Sequence, residues 1–200
     1  TLPARILAGG MVALLRRRLA RVPTWALELL KLAAVIGREI DIPVLQAAGG
    51  VNIEHWLQAC SDAAVLEPYQ GEWRFSHDRL REVLLHDLNE LAPLHEQAAL
   101  AIEAVYPDDV NYAEALADHW RIAGNPDREV LYILKAAEQL VMISGDYERA
   151  ETLVQRGLNL DLLDTRAELL LWQGFAAEKQ GRFDSAIDLY QTGLAAVPRP

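Results

Sequence analysis

Gly145-Asp146-Tyr147-Glu148-Arg149-Ala150 returns 36 residues later as Gly181-Arg182-Phe183-Asp184-Ser185-Ala186. The correspondence runs on through Leu153 and Leu189, Gln155 and Gln191, Gly157 and Gly193, and Leu158 and Leu194. An internal period of this length leaves few folds open. Each unit is a helix pair too small to bury its own apolar face, so it must stack on a neighbour. The small residues at fixed places let the helices approach, and the aromatic ones fill the gaps between them. A chance pair of similar helical hairpins is the competing explanation.

Gly174, Gly181, Phe183, Ala186, Tyr190 and Pro198 also match the tetratricopeptide (TPR) consensus, so residues 129–200 resemble TPR repeats. The resemblance implies an α-solenoid. It would put Tyr132, Lys135, Gln139 and Met142 of one repeat, with Glu168, Leu171, Phe175 and Glu178 of the next, on inner helices lining a groove. A protein or small-ligand signal would bind there. The competing reading packs several of these side chains in the core. Solenoids need about three units and a polar cap, so Tyr190 and Leu194 are expected to face a further repeat. Gly124-Asn125-Pro126 reads as the trace of an earlier, degenerate repeat in which Glu129 replaces a small residue, making 91–128 a helical linker or degenerate repeat.

Upstream, helix signals alternate with turn signals. Thr24 is expected to cap a helix that ends near Gly37. Asp41-Ile42-Pro43 opens a short second helix, ended by Gly49-Gly50. Asn52 caps a third, whose apolar residues Ile53, Trp56, Leu57, Cys60 and Ala64 recur at helical spacing. Val65 to Tyr69, a turn at Gln70-Gly71-Glu72, and Trp73-Arg74-Phe75 read as a hairpin. Three helices and a hairpin follow the winged-helix order over 24–90. Pro93 starts a helix through Leu94, Ala98, Ile102 and Val105, broken at Tyr106-Pro107. Asn111 and Glu114 form an expected capping box for the helix after it.

Between hairpin and helices lies Phe75-Ser76-His77-Asp78, which places a His-Asp pair where a strand becomes an apolar-periodic helix (Leu80, Val83, Leu84, Leu88). Ser76 or Asp78 can accept from orphan N–H groups there, and Asp78 also suits the positive end of the macrodipole. With Leu29-Leu30-Lys31-Leu32-Ala33-Ala34-Val35-Ile36-Gly37-Arg38-Glu39-Ile40 before it and Leu94-His95 after it, the stretch resembles the winged-helix region of STAND-class signal-transduction ATPases. In that class a nucleotide-binding core precedes a winged helix and a superhelical sensor. The resemblance implies that His77 senses nucleotide by meeting an ADP phosphate, while Asp78 is read as the helix cap. Ser76 stands where the NOD-like branch of the class has Met. By the same resemblance, residues 1–23 form a basic helical segment joining an upstream ATPase core. ATP or ADP would be bound by the parent protein, with no cofactor in this segment. The expected fold is mainly α, a winged helix with a small β-hairpin followed by a TPR-like solenoid. Two other functions stay open: a free-standing TPR adaptor or scaffold, and a DNA-binding winged-helix regulator.

Charge bears on the last of these. The first 38 residues hold seven basic residues and one acidic, against an overall balance of −10. Met11, Val12, Leu14, Leu15, Leu19 and Val22 form a helical stripe with Arg16, Arg17 and Arg18 largely on the other face, a pattern that fits a solvated or domain-facing surface better than a DNA arm. The helix from Asn52 carries Glu54 and Asp62 with neither Lys nor Arg, leaving Gln58 as a lone base-reading candidate, so no direct DNA partner is expected. No apolar run reaches the ~18 residues of a membrane span, and no signal-peptide pattern occurs. Thr1 in place of an initiator Met points to a segment of a longer protein. Lone Cys60 permits no intrachain disulfide and fits a cytoplasmic location. No G-x-x-x-x-G-K-[ST] or G-x-S-x-G stretch is present. His77 and His86 fall on opposite sides of one helix, Pro93 separates His95 from both, and His55 and His119 have no carboxylate or thiol at ligand spacing. Neither a catalytic nor a metal site is expected.

Overall fold

The computed structural model describes residues 4–88 and 90–197, with side chains from residue 10 onward. The basic stripe forms α1, Ala4–Leu19. Leu15 and, beyond the helix, Val22 are buried, whereas Met11 and Leu14 stay exposed. Helix α2, Thr24–Ile36, buries residues around most of its circumference, from Ala26 to Val35, and so becomes the hub of its unit. Thr24 is its first residue and does not cap it. Pro23 holds the N-cap position, with no side-chain cap bond.

The next two helices are capped, by Asp41 and, as expected, by Asn52. Asp41 accepts from Val44 N at 3.0 Å at the start of α3, Ile42–Ala48. Asn52 accepts from His55 N at 2.9 Å at the start of α4, Ile53–Asp62. The Trp56 indole donates to Ala26 O at 3.0 Å, tying α4 to α2 in the core. Strands β1, Leu66–Tyr69, and β2, Glu72–Phe75, pair antiparallel with Leu66 opposite Phe75. Gln70 and Gly71 both take positive φ (53° and 92°), as a two-residue hairpin turn twisted like its strands requires. The far edge of β2 is also used. Ile40 N donates to Trp73 O at 2.8 Å and Phe75 N to Arg38 O at 3.1 Å, with Glu39 bridging Arg74.

Helix α5, Asp78–His86, packs on α1 and α2, and Arg16 grips Asp87 with two hydrogen bonds of 3.2 and 2.9 Å. Helix α6, Ala92–Val105, packs on α2 and α3. Cys60 lies inside this core, where burial pushes its thiol up to about 12. The chain accordingly divides into two compact units, Thr1–Pro107 and Asp108–Pro200. This replaces the expected boundaries after residues 23, 90 and 128. Leu15 and Val22 join α1 to the first core, and buried Ala98 and Ile102 join α6 to it. Asn89 and Pro198 lie outside the described residues, as does the Arg5 side chain.

The second unit is helical throughout its described length. A 3-10 turn at Val110–Tyr112 leads to α7, Ala113–Ala123. Then come α8, Pro126–Gln139, with a π-helical extension Leu140–Ser144, α9, Tyr147–Leu158, α10, Leu163–Lys179, and α11, Phe183–Ala196. Successive helices pack on one another, and α8 also meets α10. The duplicated glycines Gly145 and Gly181 take φ of 68° and 75°, closing one helix and aiming the next. Ala150 and Ala186 are both buried at helix contacts. Gly157 shows why its place stays small. A Cβ there would lie 2.9 Å from Leu169 Cδ2 and 3.2 Å from Ile133 Cγ2.

Two expectations fail here. The capping box of Asn111 and Glu114 does not form: Asp109 accepts from Asn111 N at 3.0 Å, and Glu114 pairs with Arg149 at 2.8 Å. Glu129 is no mere gap in a repeat pattern. It is 3% exposed, with Arg156 Nε 3.0 Å from its carboxylate, and Arg156 reaches Asp118 at 2.7 Å. The pair thereby links α7, α8 and α9.

Desolvation pushes the Glu129 carboxyl above its ordinary value of 4.5, against the attraction of Arg156 and Arg121. A carboxyl raised in the folded state stabilises most when protonated, and that contribution is lost as pH rises through its folded value. The stability of Glu129→Gln relative to the unsubstituted chain should therefore rise with pH above 4.5. Urea denaturation at a series of pH values reads this directly. A difference that is flat or falls with pH contradicts the raised value.

Candidate functional site

The His-Asp pair sits on a junction that backbone hydrogen bonding defines. Ser76 N donates to Val65 O at 2.9 Å, and Ser76 Oγ donates to Ala64 O at 2.9 Å. Ala64 itself takes φ 57°, turning the chain from α4 into β1. These bonds follow the end of β2 at buried Phe75 and leave His77 extended, at φ −154° and ψ 132°. That is the backbone of a helix N-cap. His77 Nδ1 accepts from Arg79 N at 3.1 Å. The cap of α5 is therefore His77, which corrects the assignment to Asp78.

Asp78 lies one residue too far into the helix to cap it. Its carboxylate pairs with Arg38 Nε at 2.9 Å instead, on the exposed surface. A neutral imidazole that accepts through Nδ1 carries its proton on Nε2. His77 is exposed, so it presents that N–H as a donor held in orientation by its own helix. Arg18 of α1 donates to the same Ala64 carbonyl at 3.3 Å, and Arg21, just beyond α1, to Asp62 O at 3.5 Å, which places two cations at the turn before β1. The edge thus presents a ring donor at the first turn of α5, with the Arg38–Asp78 ion pair next to it. The cleft of about 720 Å³ that runs from Ile36 to Pro43 is walled by Glu39, Asp41 and Glu72 as well as Arg38, and does not suit an anion.

The residues expected to line an inner groove do not share one surface. Tyr132 is buried, with Lys135 Nζ 5.3 Å from its ring centre. Lys135 binds Asp108 at 2.8 Å, holding that carboxyl below its usual value. Gln139 donates to Asn111 at 3.2 Å. These three pack α8 against the segment before α7. Met142 is exposed on the π-helical extension, next to exposed Ile143. Phe175 stands edge-on to Tyr190 at 5.8 Å, and Glu178 accepts from the Tyr190 hydroxyl at 2.8 Å. Burial and the Glu178 charge push that hydroxyl up to about 12.

Glu168 and Leu171 also lie near Tyr190. They share an apolar groove of about 410 Å³ with Tyr190, Leu194 and Val197. Leu194 is exposed, as expected of a residue awaiting a neighbour, while Tyr190 is half-buried. Ile187 and Val197 went unnoticed in the sequence, although they complete a four-three spacing with Phe183, Tyr190 and Leu194.

Among the described residues, no group of three or more His, Cys, Asp or Glu is arranged to hold a metal ion. His55 stacks on Trp25 at 4.8 Å, and His86 lies 3.2 Å from Asp87. Comparison of the chain with protein-family models, curated proteins and solved structures gave no match.

The cap assignment has a direct consequence. Replacing His77 by Ala should cost about 1 kcal/mol of stability, and His77→Ser should restore most of it. Asp78→Ala should cost less than His77→Ala, because an exposed ion pair contributes about 0–1 kcal/mol. Denaturant titration of the three variants decides, and a larger loss for Asp78→Ala would contradict the assignment.

Proposed function

We propose that this chain is the regulatory and protein-interaction segment of a cytoplasmic STAND-type signal-transduction ATPase. In this reading α2, α3, α4 and the hairpin form a winged helix that clamps an upstream nucleotide-binding core. The helix pairs from α8 onward form a TPR-like region that receives a protein or ligand signal. The observation that carries the reading is the outward Nε2–H of His77, held by its bond to Arg79 N at the first turn of α5. The order of elements supports it, as does the 36-residue repetition of Gly145–Ala150 in Gly181–Ala186. No helix among the described residues is long and apolar enough to cross a membrane.

ADP, when bound by the core, supplies the anionic oxygen that His77 would meet. His77 donates to it, Ser76 holds the junction, and Arg18 adds positive charge at the same edge. The chain carries no phosphate-binding loop of its own, so the nucleotide is held from outside and His77 acts as a latch. A DNA-binding role fits less well, because α4 presents Glu54, Gln58 and Asp62 without Lys or Arg. The adaptor reading draws on the apolar groove of α10 and α11, and is compatible with the same helical array.

His77→Ser separates the latch from the cap, since Ser caps helices well but offers no imidazole donor. A charge-assisted bond contributes roughly 1.5–3 kcal/mol, a shift of about ten- to a hundredfold in a closed-to-open ratio. ADP release from the ATPase-bearing protein should speed up by that order, with basal output raised. Unchanged release and output in His77→Ser would remove the latch role.

A further inference from the structure

The small sheet of the first unit has two edges, and they differ. Ser76 N donates to Val65 O, so by strand alternation Glu67 faces β2 while Pro68 faces outward. Proline has no N–H to offer a further strand, and that edge is blunted. On the other side the strip around Glu39 runs along β2. Ile40 N donates to Trp73 O, and Arg38 O accepts from Phe75 N, which turns the N–H and C=O of Glu39 away from the sheet. Neither group has a partner among the described residues. The backbone is extended at both ends of the strip, at Gly37 with φ 176° and ψ −170° and at Asp41 with φ −78° and ψ 94°.

The cleft of about 720 Å³ lies along this strip, which lines it from Ile36 to Pro43. Glu39 and Asp41 of the strip stand in its wall with Glu72 of β2. Glu39 and Glu72 are exposed. The Asp41 carboxylate accepts from Val44 N at 3.0 Å and from the Tyr106 hydroxyl at 3.2 Å, which holds it in place at the wall. Arg38 lines the same cleft, but its guanidinium is paired with Asp78 at 2.9 Å. Half-buried Ile36 and Ile42 supply apolar surface. An open strand edge, carboxylates and an apolar wall thus meet in one cleft, all within the first unit.

We infer that the Glu39 edge accepts an extended basic segment of a partner protein as an added strand. The segment exchanges backbone hydrogen bonds with the N–H and C=O of Glu39. Its Lys or Arg side chains, on alternate residues, meet Glu39 and Glu72, and the residues between them turn to Ile36 and Ile42. This is strand addition, in which main-chain bonds supply affinity and alternate side chains supply specificity. Charge complementarity sets the choice of a basic segment over an acidic one. A free polyamine would answer the carboxylates but not the outward N–H and C=O, so the backbone favours a peptide. The surface goes beyond the proposed latch, which uses the ring of His77, and neither depends on the other.

The test uses the whole chain and a synthetic, fluorescein-labelled peptide in which Lys alternates with Val. A second peptide carries Glu in place of Lys. A third keeps the Lys-Val sequence but is methylated on alternate backbone nitrogens, in the register that removes the N–H groups of one strand edge. Fluorescence anisotropy should show micromolar binding of the basic peptide, weakened by salt, and little binding of the acidic one. Methylation in one of the two possible registers should weaken binding roughly tenfold or more. Glu39→Lys with Glu72→Lys should weaken the basic peptide by a similar factor and strengthen the acidic one, with thermal unfolding unchanged because both side chains are exposed. In amide hydrogen exchange, the Glu39 N–H should gain protection when the basic peptide binds. Equal binding of the basic and acidic peptides, or no binding, overturns the inference. Binding that methylation in either register leaves unchanged, or that spermine displaces at equal concentration, makes the cleft a cation site and overturns the added strand. Binding that survives the double Lys substitution places the peptide elsewhere and overturns this site. The ADP-release comparison for His77→Ser has no part in these outcomes, so failure of the latch and failure of the strand edge are told apart.

Discussion

Two hydrogen bonds from Ser76, through its backbone N–H to Val65 O and through its hydroxyl to Ala64 O, set where the hairpin stops and α5 begins. Everything of functional interest in the first unit depends on that register. Buried Phe75 must point into the core, so the next residue faces out, and Ser76 satisfies the carbonyls that the turn at Ala64 leaves open. His77 is then extended, which lets its ring fold back onto Arg79 N and cap the helix. One residue of slip would exchange the inward and outward positions. The ring orientation follows from core packing and needs no ligand to establish it.

The second unit rests on a different constraint, the close approach of duplicated helices. Gly157 admits Leu169 at a distance a Cβ would not permit and Ile133 at one that would be tight, and the small side chains of Ala150 and Ala186 are buried. Against this apolar stacking stands one buried charge link. Glu129 loses hydration that Arg156 only partly replaces, while Asp118 holds the outer side of the guanidinium. Such a link adds little net stability, and removing one partner costs more than the pair contributes. It ties α7, α8 and α9 together through Asp118, Glu129 and Arg156.

Much of this was legible in the residues. Asp41 and Asn52 announce their helices because a short acceptor before an apolar-periodic run has few other uses. Gln70-Gly71 announces the hairpin, and the Gly145 and Gly181 segments announce the paired helices. The failures share a cause. Helical spacing says which side chains share a face, but not what covers it. Lys135 and Gln139 thus bind Asp108 and Asn111 instead of lining a groove. The strip at Glu39 bridges β2 through one residue, too short for alternation to reveal. A histidine cap is missed because caps are sought among Ser, Thr, Asp and Asn.

The latch proposed for His77 needs a ring whose exposed nitrogen is the protonated one. A long-range nitrogen–proton correlation NMR spectrum of the histidine rings, with His77 assigned by its absence in His77→Ser, reads that directly. With the ring neutral, the geometry predicts an Nε2–H tautomer with an unprotonated Nδ1, matching the 3.1 Å bond from Arg79 N. An Nδ1–H tautomer, or the averaged signals of a ring exchanging freely between the two, would contradict it.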